Sequence, residues 1–177
     1  MLVIHVISSQ DTENFSGIYD GLNAIVLVNP SKSECKQAII NEPGKIILIG
    51  HGTEYGLLNE QLNGYLINSE MVHLLRDKEI IGIWCNASNF ADRYDLKGFF
   101  TSMFISNERE LIECGFQTFE NCEKEIEKQN RRFSSRVNIL LLLNKPVSEW
   151  SEYLTNSLDN DERDFVYYNY EAFYATL

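Results

Sequence analysis

Apolar residues in this chain fall into short unbroken runs separated by polar stretches of helix length. That is the pattern of strands covered on both faces and joined by helical crossovers. The runs lie at residues 2–8, 24–28, 45–50, 80–84 and 98–105. Asn29-Pro30 closes the second run, and Pro43-Gly44 precedes the third. A helix is expected over residues 31–41, with Cys35, Ala38 and Ile39 on one face. Residues 55–58 and 64–67 flank a polar centre and read as a hairpin laid over the sheet edge. Ser69 is expected to cap a helix that turns Met71, Leu74 and Leu75 inward and ends near Lys78. A short helix follows over residues 88–94.

The second half reads differently. Residues 107–144 hold helical periodicity, and the charged positions Glu120, Glu123, Lys124, Glu125, Glu127 and Lys128 form its solvated face. Pro146 starts another helix, expected to run to Leu158. The tail from Asp164 carries Phe165, Tyr167, Tyr168, Tyr170, Phe173 and Tyr174, and its pattern leaves strand and helix equally open. Alternation of strand and helix implies right-handed crossovers and a mostly parallel sheet. The expectation is therefore a three-layer α/β protein with helices on both sheet faces. One domain spans residues 1–177, with an α/β core over 1–105 and a mainly helical part over 106–177.

Composition narrows the partners. The chain has 177 residues, 44% of them hydrophobic, enough for one sizeable core. A net charge of −11 argues against nucleic acid or anionic lipid as a partner, because phosphate binding needs a basic face. The first residues lack the flanks of a secretory signal, and no apolar run is long enough to span a bilayer. A soluble, cytoplasmic protein with reduced thiols is expected. Cys35, Cys85, Cys114 and Cys122 form no CxxC pair, and His5, His51 and His73 sit at no metal-ligand spacing. Neither a metal nor an organic cofactor is called for.

Two runs end in reactive residues. Residues 45–50 lead directly into His51-Gly52, and residues 80–84 into Cys85-Asn86-Ala87. Consecutive parallel strands deliver their C-terminal ends to one edge, so imidazole and thiol are expected to meet at one crevice. A thiol at a strand-to-helix turn lies near the positive end of the helix dipole, which predicts a lowered pKa. The Gly52 and Cys85 amides are placed to hold a tetrahedral oxyanion, with His51 moving the proton to the leaving amine. Taken singly, His51 reads equally as a loop residue at the sheet edge and Cys85 as a small buried hydrophobe. Cys35, Cys114 and Cys122 read as structural, His5 as a satisfied core histidine and His73 as exposed.

An apolar strand then Gly50-His51-Gly52, a hairpin, a helix, and a second apolar strand then Cys85-Asn86-Ala87 resembles the caspase-like (clan CD) cysteine peptidases. That group includes caspases, metacaspases, gingipains, legumain and the CHAT-domain proteases. The resemblance spans residues 1–105. It implies a caspase-like sheet, peptide or protein substrates, a nucleophile at Cys85, a proton carrier at His51, and oxyanion amides at Gly52 and Cys85. Two features depart from the pattern. Ile83-Trp84 stands where caspases carry Gln-Ala and legumains Glu-Ala, and no long processing linker follows the fifth run. Glu54, Asp92 and Asp95 follow the two motifs; lining the specificity pocket, they would favour a basic residue in the substrate.

Two other classes remain open on sequence. One is a non-cleaving caspase-like or flavodoxin-like interaction module. The other, an ester hydrolase of α/β-hydrolase type, would need a GxSxG elbow that the chain lacks.

Overall fold

A computed structural model describes residues 1–171 and 173–176. Its strands are β1 (Leu2–His5), β2 (Ile25–Val28), β3 (Ile46–Ile49), β4 (Gly52–Thr53), β5 (Gly56–Leu58), β6 (Tyr65–Ile67), β7 (Glu79–Ile83), β8 (Lys97–Phe100) and β9 (Tyr174–Thr176). Its α-helices are α1 (Gln10–Glu13), α2 (Lys32–Asn41), α3 (Val72–Leu75), α4 (Ala87–Tyr94), α5 (Glu108–Glu113), α6 (Cys122–Leu142), α7 (Trp150–Asn156) and α8 (Asp164–Glu171). Six strands form one sheet in the order β2-β1-β3-β7-β8-β9. The first five run parallel, and β9 returns antiparallel to β8.

The strand residues alternate between two cores, which is why their runs are apolar without interruption. Leu2, Ile4, Ile46, Leu48 and Ile80 join α2, α3 and α4 on one face. Val3, Ile47, Ile49, Ile81 and Phe99 join α5 to α8 on the other, with Phe133 and Trp150 fully buried. The expected layered α/β architecture with a mostly parallel sheet is present.

Several boundaries differ from the sequence reading. The first strand stops at His5, whose imidazole is buried and satisfied by Thr12 O at 2.9 Å and by the Tyr19 hydroxyl at 3.0 Å. The polar stretch after it holds α1 and a 3₁₀ turn over Ser16–Tyr19, both too short for periodicity to announce. The fifth strand ends at Phe100; residues 101–107 are irregular. Asn68, not Ser69, caps the next helical segment, a 3₁₀ turn over Ser69–Met71 that leads into α3. Val72 rather than Leu74 is the buried position there. The long helical region breaks between α5 and α6, where Gly115 and Asn121 have positive φ. The helix expected from Pro146 to Leu158 begins as a 3₁₀ turn over Val147–Glu149 and ends at Asn156. In the aromatic tail α8 is followed by β9, so both open readings apply to different halves; Ala172 and Leu177 lie outside the described residues. Among the described residues no helix is long and apolar enough to cross a membrane.

Candidate active site

Ile49 and Ile83 are register partners on β3 and β7. His51 and Cys85 each follow two residues later, so the topology sends both to the same sheet edge. The neighbouring strands complete the edge. β1 leads into Ser9 and α1, and β8 leads through Phe104 and Ser106 into α5. A narrow cleft is lined by His51, Cys85, Trp84, Phe15, Phe104 and Ser106, among others. Its open volume is about 10 Å³, room for one water molecule.

His51 is held from both sides. Its Nε2 lies 3.3 Å from Asp11 Oδ2 and 3.2 Å from Ser9 Oγ. An ionised carboxylate only accepts, so the proton of neutral His51 sits on Nε2 and the lone pair on Nδ1. Nδ1 faces Glu110, with Oε1 3.9 Å away. The same oxygen is 3.8 Å from Cys85 Sγ, which also reaches the Phe104 carbonyl at 3.4 Å. One carboxylate oxygen therefore stands within 4 Å of both the thiol and the imidazole.

Local chemistry explains each placement. Asp11 lies in α1, whose N-cap Ser9 hydroxyl donates to Asp11 Oδ1. Asn107 Nδ2 donates to Asp11 Oδ2 at 2.8 Å, and Ser106 Oγ lies 3.2 Å from the same oxygen. Asn107 caps α5 by accepting from the Glu110 N–H at 2.9 Å, and Ser106 donates to Glu110 Oε2 through its N–H (2.7 Å) and hydroxyl (2.8 Å). The helical half fixes this loop: Asn130 Nδ2 on α6 donates to Ser106 O at 2.8 Å, and Asn169 on α8 accepts from Ile105 N–H at 2.7 Å.

These contacts set the ionisation states. Burial works to raise the Asp11 pKa, but donation from His51, Ser9 and Asn107 outweighs it and holds the group below the usual carboxylate range. Donation to Asp11 raises the His51 pKa against the pull of burial, and the Glu110 charge adds to it. Burial raises Glu110. Burial foremost, then the Glu110 charge, push the Cys85 thiol well above its ordinary value. This corrects the expectation of a thiol activated by the following helix. A low-dielectric wall and a neighbouring carboxylate outweigh an eight-residue helix whose N-cap, Asn86, is in the left-handed region.

The proposed oxyanion donors have definite surroundings. Gly52 opposes Leu57 between β4 and β5, and the flanking ladder bond runs from Leu58 N–H to His51 O, so the Gly52 N–H points away from β5. A Cβ at Gly52 would lie 2.1 Å from Trp84 Cδ1, and the Trp84 indole donates to Thr53 O at 3.1 Å. Glycine is required there because Trp84 clamps β4 against the sheet edge.

Glu54, Asp92 and Asp95 do not line the cleft. Glu54 O accepts from Arg93 at 3.3 Å, Asp92 meets the Tyr174 hydroxyl at 3.4 Å, and Asp95 is the left-handed C-cap of α4. The acids at the site are Asp11 and Glu110. Asn107-Glu108-Arg109-Glu110 carries the residue types of an N-terminal capping box, yet the Glu110 carboxylate reaches Ser106, one residue before the cap, and the pattern does not announce its neighbours. Among the described residues no group of three or more His, Cys, Asp or Glu is arranged to hold a metal ion. No family model matches the chain, and neither a search of curated proteins nor one of solved structures returned a match.

Proposed function

We propose that the protein is a caspase-like cysteine endopeptidase in which Cys85 attacks a peptide carbonyl. The observation that carries this reading is the arrival of His51 and Cys85 at equivalent positions after register-paired strands, both lining one cleft. Asp11 fixes the imidazole with Nδ1 on the thiol side, the orientation a proton acceptor needs. His51 takes the thiol proton as sulfur bonds to the carbonyl carbon. The Gly52 and Cys85 amides receive the oxyanion. Collapse of the tetrahedral adduct breaks the C–N bond, His51 protonates the departing amine, and water then hydrolyses the thioester. No cofactor enters these steps.

Glu110 Oε1, within 4 Å of both sulfur and imidazole, must give up these contacts before the first step. The described arrangement is thus a closed one, with little room for a substrate and a protonated thiol. The same observation favours a second reading, a non-cleaving member of this fold that serves as an interaction module. Incubation with a mixed peptide library, read by mass spectrometry, separates the two. Cleavage by the wild type that is lost in both Cys85→Ala and His51→Ala supports the peptidase. Absence of cleavage in wild type and in a Glu110→Gln variant supports the module.

A further inference from the structure

β2 forms one end of the main sheet, and its side chains are unusually apolar for an edge. Ile25 is 64% exposed, Val26 39% and Val28 51%. Edge strands are ordinarily shielded by charge, proline or a covering loop, because unpaired backbone groups invite pairing. Here all four residues are Ile, Val, Leu and Val. The Ile25 N–H donates to Met1 O at 3.1 Å and the Asn29 N–H to His5 O at 3.0 Å. Parallel pairing alternates, so Val26 and Val28 turn their N–H and C=O groups outward, where no further strand of the described residues lies.

A groove runs along this edge between β2 and α2. Its floor is Leu2, Ile25, Leu27 and Ala38, its volume about 380 Å³, and its rim includes Glu34 and Glu42. Lys32 pairs with Glu70 at 2.7 Å and Lys45 with Glu79 at 2.7 Å, and Lys36 on α2 also acts on the Glu70 charge. Glu42 also meets the first amine of the chain at 2.9 Å; Glu34 Oε2 accepts from the Ser31 N–H at 2.9 Å and hydroxyl at 2.7 Å, both neutral donors, so its charge is the less compensated of the two. A second copy would bring another net charge of −11 against the same rim.

We propose that the β2 edge accepts an extended segment of another protein as an added strand, one with alternating apolar residues and basic flanks. Backbone pairing with Val26 and Val28 supplies the register. Alternate apolar side chains enter the groove, and a lysine or arginine meets Glu34.

The test uses the full chain and a synthetic peptide of alternating Val and Thr flanked by Lys. Binding is followed by fluorescence anisotropy, and hydrogen exchange reports the β2 amides. The expected result is one peptide per chain, a dissociation constant on the order of 100 μM or tighter, and slowed exchange at Val26 and Val28. N-methylation along one peptide edge removes binding, and along the other edge leaves it. The same peptide with Glu flanks binds at least ~10-fold more weakly. A Val26→Pro variant, whose outward N–H is lost without touching the bonds to β1, loses binding while keeping its thermal transition. Binding that ignores peptide N-methylation overturns the added strand, equal binding of the Glu-flanked peptide overturns the basic partner, and a concentration-dependent dimer of the protein alone overturns the choice of a foreign segment.

Discussion

Replacing Glu110 with Gln removes a charge from beside Cys85 while keeping side-chain volume. With Oε1 3.8 Å from the sulfur, a full negative charge at an effective dielectric near 20 opposes thiolate formation by about 4 kcal/mol. Glu110 is itself driven toward its neutral form by burial, and His51 shares its field. Halving the figure leaves about 2 kcal/mol, or about 1.5 pKa units at 1.36 kcal/mol each. Thiolate population then rises about 30-fold at fixed pH. Nucleophilicity falls as the pKa falls, with a Brønsted slope near 0.4–0.5, so the observed gain is about 5- to 10-fold. The assay is pseudo-first-order alkylation by iodoacetamide, resolved by peptide mass spectrometry so that Cys85 is scored apart from the other three thiols. An unchanged rate would refute the claim that Glu110 suppresses the thiol. A slower rate would assign Glu110 to proton removal from sulfur instead.

Three further outcomes are expected. Asp11→Asn lowers the His51 titration midpoint, read by NMR of the ring protons, because the strongest acceptor of its N–H is lost; an unmoved midpoint contradicts the contact. Burial pushes the His5 pKa down from the usual 6.5 to about 4, so the unfolded state binds the extra proton first and stability declines as pH falls from 6.5 toward 4. The loss reaches about 3 kcal/mol, visible in urea midpoints, and His5→Phe flattens that slope. Gly52→Ala forces a Cβ to within 2.1 Å of Trp84 Cδ1 and 2.6 Å of Gly56 O, and it lowers stability by about 1–3 kcal/mol in chemical denaturation.

The sheet was legible because its central strands are buried on both faces and its exposed edge strand β2 is apolar as well. Runs such as Ile46–Ile49 have no polar position to confuse the period, and the strand-terminal placement of His51 and Cys85 follows from parallel topology alone. What was not legible depends on groups distant in sequence. Asp11 reaches His51 from a four-residue helix, and Glu110 reaches Cys85 only because Asn130 and Asn169, on two later helices, pin the loop between them. Side-chain-to-backbone ties across such separations leave no periodic trace. The thiol's environment was misjudged for the same reason: a helix terminus can be read locally, but the carboxylate that opposes it comes from 25 positions away. Glu54, Asp92 and Asp95 were placed by proximity along the chain, and none is among the residues that line the cleft.

The pairing of His51 with Cys85 is tested most directly by intact-protein mass spectrometry after exposure to a peptidyl acyloxymethyl ketone series, run on wild type, Glu110→Gln and His51→Ala. The account predicts one covalent adduct confined to Cys85, formed faster in Glu110→Gln and lost in His51→Ala. Adducts spread over several cysteines, or an unchanged Cys85 rate in His51→Ala, would contradict it.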